Sequence, residues 1–282
     1  GLEQLMRDLG DAIARDTRCV LVRSVLLPGH ASRPGDLLRV TREDWIDAVR
    51  YGIESFAGSA GEVHSIKVAE VMEQSLKTGS PFIFINDSGG ARVQEGIDSL
   101  SGYGKVFYTN VALSGVVPQI SLICGPCAGG AAYSPALTDF IIQTRQALMF
   151  ITGPQVIKQV TGESVTSEQL GGADAHMSSS GVIHFVAEND SHAVVICQKL
   201  LSYLPPNNLE NPPQVEPDTN VEANPELDDV VPTDRRKGYD VLEVILRVVD
   251  FGDFMEVQSG YAPNIVVGFG RINGSTVGII AN

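Results

Sequence analysis

Two stretches of this chain follow one plan. In the first, the wholly apolar run Pro81-Phe82-Ile83-Phe84-Ile85 leads into the loop signal Asn86-Asp87-Ser88-Gly89-Gly90-Ala91-Arg92. In the second, Ile120-Ser121-Leu122-Ile123 leads into Gly125-Pro126-Cys127-Ala128-Gly129-Gly130-Ala131. A short strand that is apolar at both odd and even positions must be buried on both faces, which is the situation of a parallel sheet covered by helices. The segments around these runs supply the helices. Residues 61–77 carry Val63, Ile66, Ala69, Met72 and Leu76 at spacings of three and four, and Gly79 is placed to stop that helix. Residues 97–113 and 190–203 also read as helices, and Thr166-Ser167-Glu168-Gln169 has capping-box spacing. Phe140-Ile141-Ile142, Leu148-Met149-Phe150-Ile151 and His184-Phe185-Val186 read as further strands. The class is α/β with a mostly parallel sheet.

At 282 residues the chain is long enough for one large domain or two smaller ones, and no run of 18 apolar residues suggests a membrane span. The first residues lack a charged leader followed by an apolar stretch, so no signal peptide is expected, and Gly1 fits a chain that was processed or cut from something longer. A net charge of −14 argues against general binding of nucleic acid or an anionic membrane. The acidity is concentrated. Residues 205–234 hold eight acids, seven of the fifteen prolines and no Lys or Arg, a composition that extends and solvates a connector. Four cysteines are too few for a disulfide scaffold and suit a reduced, cytoplasmic setting. Cys124-Gly125-Pro126-Cys127 spells a redox pair, yet a Gly-rich turn follows it and no second pair exists to complete a zinc site. Its thiols are therefore expected to be small buried side chains, and no metal is expected.

The chemistry is expected in the two glycine-rich turns. Glycines there let backbone N–H groups face a cleft unobstructed, and two such turns side by side could each aim one N–H at a single developing oxyanion. Conventional machinery is missing: there is no H-E-x-x-H, no G-x-S-x-G elbow and neither common phosphate-binding glycine pattern.

At these residues the sequence resembles the carboxyltransferase subunits of biotin-dependent acyl-CoA carboxylases, of the propionyl-CoA carboxylase β and methylmalonyl-CoA carboxyltransferase type. The resemblance is carried by the first turn with Val93-Gln94-Glu95-Gly96 and Ser99-Leu100-Ser101-Gly102-Tyr103-Gly104. It continues through the second turn with Tyr133-Ser134-Pro135-Ala136-Leu137-Thr138-Asp139, and through Phe150-Ile151-Thr152-Gly153-Pro154. It implies a crotonase-like fold of ββα units in a spiral, with the first unit nearly complete and the second only begun. It also implies transfer of a carboxyl group between carboxybiotin, carried on a partner protein, and the α-carbon of an acyl-CoA thioester. The site residues it implies are Gly129 and Gly130, whose N–H groups hold the enolate oxygen. Gly89, Gly90, Ala91, Arg92, Ala128 and Ala131 are implied on the substrate side. A biotin carboxyl carrier or biotin carboxylase partner and a homo-oligomer follow from the same resemblance.

On this basis residues 1–55 form an atypical N-terminal segment, 56–204 the first carboxyltransferase domain, 205–237 the acidic linker and 238–282 the start of a second domain. Thr41-Arg42-Glu43-Asp44-Trp45 reads as a helix opening with no family counterpart. Residues 264–281 read as a hairpin turning at Asn273-Gly274, expected to cover a gap left by a missing opening strand pair or to project alone. Two alternatives stay open. One is a biotin-independent hydratase or decarboxylase of the crotonase type, for which Glu95 is the nearest acid. The other is a non-catalytic fragment. Arg92 and Lys67 are the candidate cations for CoA phosphates, with an ion pair bracing the loop as the competing role for Arg92.

Overall fold

The computed structural model describes residues 20–23, 57–218, 227–234 and 236–282. Five parallel strands lie side by side in the order β1 (Val20–Arg23), β2 (Phe82–Ser88), β3 (Gln119–Ala128), β4 (Phe140–Thr144) and β6 (Phe185–Ala187). A sixth, β5 (Leu148–Phe150), pairs in parallel with the last residues of β3. Both faces of this sheet are covered, which is why its strands are apolar throughout. Phe82 and Phe84 of β2 pack with Val68 and Met72 of helix α1 (Glu62–Thr78) and with Val106 and Leu113 of helix α2 (Ile97–Leu113). Ile83 and Ile85 point the other way, into a cluster with Ile120, Leu122 and Ile142. Helix α3 (Gly130–Ala136) follows β3, and its Ala131 and Ala132 pack with Ile123, Cys127, Ile141 and Met149.

Helix starts and stops follow local chemistry. Gly79 closes α1 in the left-handed region at φ 65°. An exposed amphipathic helix α4 (Pro154–Thr161) opens on a proline, and Thr166 with Gln169 forms the expected capping box ahead of α5 (Ser167–Gly171). A short α6 (Ala173–Ala175) runs into a π turn. Asn189 then caps α7 (Asp190–Tyr203), which lays Ala193, Val194, Leu200 and Tyr203 on the sheet. The buried face of α1 differs from the one its spacing suggests. Val63 is 56% exposed, while His64, Ser65, Val68, Ala69, Met72 and Ser75 are buried. The helix is rotated because α2 crosses it closely at Gly102, where a Cβ would stand 2.7 Å from the Ser65 side chain.

Residues 205–218 of the connector form no helix or strand and are mostly exposed, and they are tied to the rest of the fold at two places. The Asn207 side-chain amide donates to Gly79 O at 3.0 Å and Asn208 N–H to Val116 O at 2.9 Å. Farther on, Val215 N–H donates to Gly274 O at 3.1 Å. Helices α8 (Leu227–Val230) and α9 (Val241–Val248) lead to an antiparallel sheet of β7 (Met255–Val257), β8 (Val266–Ile272) and β9 (Ser275–Ala281). Its Asn273-Gly274 turn has positive φ at both residues, as a two-residue hairpin turn requires.

This sheet docks on the first unit. Met255 and Val257 join the core beneath α7, and Phe269 stacks on Tyr203 with centroids 6.1 Å apart. The Arg271 guanidinium lies 4.2 Å above the same Tyr203 ring, whose hydroxyl donates to Asp253 at 2.8 Å. The docked side is that of β4, β6 and α7, so the hairpin neither projects alone nor covers the opposite edge. That edge is taken by β1, from a segment whose sequence gave no strand signal. The helix opening at Thr41–Trp45, and Cys19, lie outside the described residues.

Candidate active site

Strands β2 and β3 keep register as far as Asn86 and Ile123, and then slip. Ser88 pairs with Cys127, so β3 advances four residues while β2 advances two. The extra length sits at Cys124-Gly125-Pro126 and swings Ala128-Gly129-Gly130 over the end of β2, the usual work of a bulge beside a site. Strand character therefore runs on to Ala128, past the point where glycine and proline suggest a turn. At Gly90, φ is 95°, and a Cβ would stand 2.5 Å from Ala128 O and 3.6 Å from Gly130 N. The two glycine-rich turns are thus in backbone contact.

A third segment, residues 57–61, completes the wall. Gly89 N–H donates to Ala57 O at 2.8 Å, Ala60 N–H to Gly90 O at 2.8 Å and Arg92 N–H to Ala60 O at 2.9 Å. Ala60 and Ala91 thereby form a parallel bridge. In such a bridge the residues flanking Ala91 make the bonds, so the N–H of Ala91 itself faces away from residues 57–61. Gly129 is committed differently from the expectation. Its N–H donates to Phe150 O at 3.1 Å across the β3–β5 pair, in a backbone with φ 57°. The next N–H, that of Gly130, opens α3 and has no intrahelical acceptor. Of the two N–H groups expected at the site, that of Gly129 is thus engaged with Phe150 O, whereas that of Gly130 stands at the first turn of α3.

Ala128, Gly89, Ala131 and Arg92 lie in or beside the two turns, in different settings. Ala128 puts its carbonyl against Gly90, and Gly89 is exposed at the rim. Ala131 is a core residue, 3% exposed, whose carbonyl accepts from Cys127 Sγ at 3.0 Å. Arg92 braces the loop: Nη1 lies 2.9 Å from Glu95 Oε1 and Nη2 donates to Ser59 O at 2.9 Å. Glu95 is held in turn, accepting the Glu62 N–H at the start of α1 at 2.8 Å. To meet a CoA phosphate, Arg92 would have to leave both partners. Cys127 is fully buried, and burial followed by the nearby Asp87 carboxylate pushes its thiol well above the ordinary range. Cys124, Cys127 and Cys197 are not in disulfides, and a raised thiol is the opposite of an activated redox cysteine.

Behind the wall lies a water-sized pocket lined by His64, Asn86, Ser88, Tyr103, Ala60 and Ala131. His64 is 5% exposed, and burial first, then the Arg92 charge, pulls its pKa down to about 4. Above pH 6.5 the imidazole is neutral in both native and unfolded chains, and no stability is lost through it. As pH falls from 6.5 toward 4, the unfolded chain takes up a proton that the native chain refuses, so stability declines by up to roughly 3 kcal/mol. Urea titrations across this window, compared with His64→Gln, are expected to show a fall in the wild type that is much smaller in the variant. Sequence inspection missed residues 57–61 and this buried layer, because small residues in a loop and a lone His on a helix carry no distinguishing pattern.

The geometry sits in a chain with close relatives. A profile of the carboxyl transferase domain matches residues 47–282. The methylmalonyl-CoA carboxyltransferase 12S subunit of Propionibacterium freudenreichii subsp. shermanii is 65% identical over 225 residues, covering 80% of this chain and 43% of that protein. The propionyl-CoA carboxylase carboxyltransferase subunit of Haloferax mediterranei is 54% identical over 229 residues, covering 80% of this chain and 44% of that protein. A crystal structure of transcarboxylase 12S with methylmalonyl-CoA and methylmalonic acid bound superposes with a TM-score of 0.79 at 65% identity, over 80% of this chain and 44% of that one. The fold is crotonase-like, as the sequence resemblance implied. This chain spans less than half the length of each of these relatives. By the extent of the profile match and these identities, the chain belongs to the carboxyl transferase domain family.

Proposed function

We propose that this chain supplies the acyl-CoA half of a carboxyltransferase that moves a carboxyl group between carboxybiotin and the α-carbon of propionyl-CoA or methylmalonyl-CoA. The observation that carries this reading is the backbone contact of Gly90 with Ala128 and Gly130, which brings two glycine-rich turns to one point. Loss of the α-proton turns the thioester into an enolate, and the charge gathers on the thioester oxygen. The Ala91 and Gly130 N–H groups are the donors suited to that oxygen, each contributing on the order of 3 kcal/mol to the transition state. No side-chain base is assigned. Glu95, the acid a hydratase would need, is held by Arg92 and the Glu62 N–H, which disfavours that alternative.

Carboxybiotin supplies the carboxyl group when bound. Among the described residues there is no second pair of glycine-rich turns to receive its ureido carbonyl. In this reading the biotin half comes from sequence of the kind that the relatives carry beyond the matched region, in a homo-oligomer served by a biotin carrier and biotin carboxylase. Hexamer assembly is described for the transcarboxylase 12S crystal structure. Residues 56–204 are the first domain, 205–237 the linker and 238–282 the opening of the second. A cytoplasmic setting accords with the free thiols. The test is an exchange assay: residues 1–282 are expected to bind propionyl-CoA but not to exchange carboxyl with free carboxybiotin, whereas the assembled longer subunit does both. Transfer by residues 1–282 alone would overturn the two-half account.

A further inference from the structure

We infer that His176 is a positioning residue for the oxyanion turn: it ties the outer edge of β5, the strand that holds Gly129, to a π turn seated on the opening of the second unit. This rests on the proposed carboxyltransferase reading and goes beyond it, because it assigns a role to a side chain that acts through β5 rather than on the acyl-CoA.

The tie starts from the two edges of β5. Neighbouring residues of a strand turn their carbonyls to opposite edges. Phe150 O faces β3, where it accepts the Gly129 N–H at 3.1 Å. Met149 O faces the other edge, and there it lies 2.7 Å from His176 Nε2. A carbonyl can only accept, so this contact fixes a proton on Nε2 and makes the imidazole the donor. The other ring nitrogen, Nδ1, lies 2.9 Å from Ser180 Oγ, so both ends of the ring are engaged.

A strand of three residues, Leu148–Phe150, has few ladder bonds of its own and depends on its flanks. Gln143 of β4 is fully buried and donates to Ala147 O at 2.9 Å and to Gly171 O at 3.0 Å. Leu148 and Gly172 form an antiparallel bridge. A Cβ on Gly171 would stand 2.5 Å from Met149 O, so the chain passes directly beside the carbonyl that His176 takes. These contacts place the start of β5, and His176 holds its middle.

The turn that carries His176, residues His176–Ser180, is braced from the other side by the second unit. Single π turns often mark functional sites. The Gln258 side-chain amide donates to Gly181 O, and its backbone N–H donates to His184 O at 3.0 Å. A Cβ on Gly260 would stand 2.5 Å from Met177 Cγ, and one on Gly181 would meet the Tyr261 ring at 2.7 Å. One short turn therefore has the second unit against it and, through His176, grips β5. Loss of the Nε2 donor would let β5 drift, and with it the Gly129 peptide that leads into the Gly130 N–H. An oxyanion site tolerates such error poorly, since donors must be held to within about 0.5 Å of their productive positions.

The experiment uses the assembled carboxyltransferase containing this chain. His176→Phe keeps a ring in place and removes the donor, whereas His176→Gln offers an amide N–H near the position of Nε2. His176→Phe is expected to lower kcat by about tenfold to a hundredfold, with the KM for acyl-CoA nearly unchanged. His176→Gln is expected to recover most of that loss. Hydrogen exchange in a peptide spanning Gly129 is expected to quicken in His176→Phe and much less in His176→Gln. Wild-type kcat or unchanged exchange in His176→Phe would overturn the inference. So would equal losses in the two variants, or a fall in kcat that only follows a fall in melting temperature. Absence of carboxyl transfer in the wild-type assembly would instead refute the functional reading, so the two failures are distinguishable.

Discussion

Replacing Gly90 with alanine is expected to lower kcat/KM for acyl-CoA by about a hundredfold or more, since the change displaces at least one oxyanion donor. Two effects combine at this position. The backbone has φ 95°, a region that L side chains rarely adopt, and the new methyl would stand 2.5 Å from Ala128 O. The carbonyl belongs to the strand that leads directly into Gly129 and Gly130, so relief of the overlap must pry the two turns apart. Gly162→Ala provides the contrast. Gly162 also has positive φ, at 79°, but nothing lies within 4 Å of its would-be Cβ. It is expected to cost only about 1 kcal/mol of stability and no activity. Steady-state kinetics of both variants beside their melting curves separate backbone strain from the collision at the site. Equal activities would refute the view that contact between the turns matters.

The second large effect is on stability. Asn110 is fully buried and joins three elements. Its side-chain amide donates to Gln119 Oε1 at 2.9 Å, its side-chain oxygen accepts from Ser134 Oγ at 3.0 Å, and its backbone carbonyl accepts from Gln119 Nε2 at 3.0 Å. Asn110→Ala strands Gln119 Oε1 and the Ser134 hydroxyl without water to replace the lost partner. Each orphaned group costs about 1–3 kcal/mol, so the variant is expected to lose about 3 kcal/mol in urea denaturation. Ser134 lies on α3, the helix opened by Gly130, so activity is expected to fall as well. A loss below about 1 kcal/mol would mean that the site relaxes or admits water.

Much of this was legible in the sequence, and what was not has a common cause. Residues 97–113 and 190–203 are helices as their periodicity indicates, and the apolar runs at 82–85 and 120–123 are doubly covered parallel strands. These depend on local pattern. The slip between β2 and β3 does not: it depends on how two strands distant in sequence align, and it carries the strand on to Ala128. The same tertiary pairing of β3 with β5 takes the Gly129 N–H and leaves that of Gly130. Sequence could mark the glycine-rich turn without saying which of its N–H groups the sheet engages. Arg92 shows the limit differently, since both a phosphate contact and a loop brace suit an arginine beside a turn. Only the placement of Glu95 and Ser59 favours the brace.

The central claim is that Ala91 and Gly130 donate to one thioester oxygen. It is tested most directly by isotope-edited infrared difference spectroscopy of propionyl-CoA, labelled with carbon-13 at the thioester carbonyl and bound to the purified chain. Two backbone donors in a site shielded from water polarise the carbonyl more than bulk water does. The account predicts a carbonyl stretch at lower frequency than in free propionyl-CoA, and loss of that shift in Gly90→Ala at saturating ligand. A bound carbonyl that absorbs where the free one does, or a shift that survives Gly90→Ala, would contradict it.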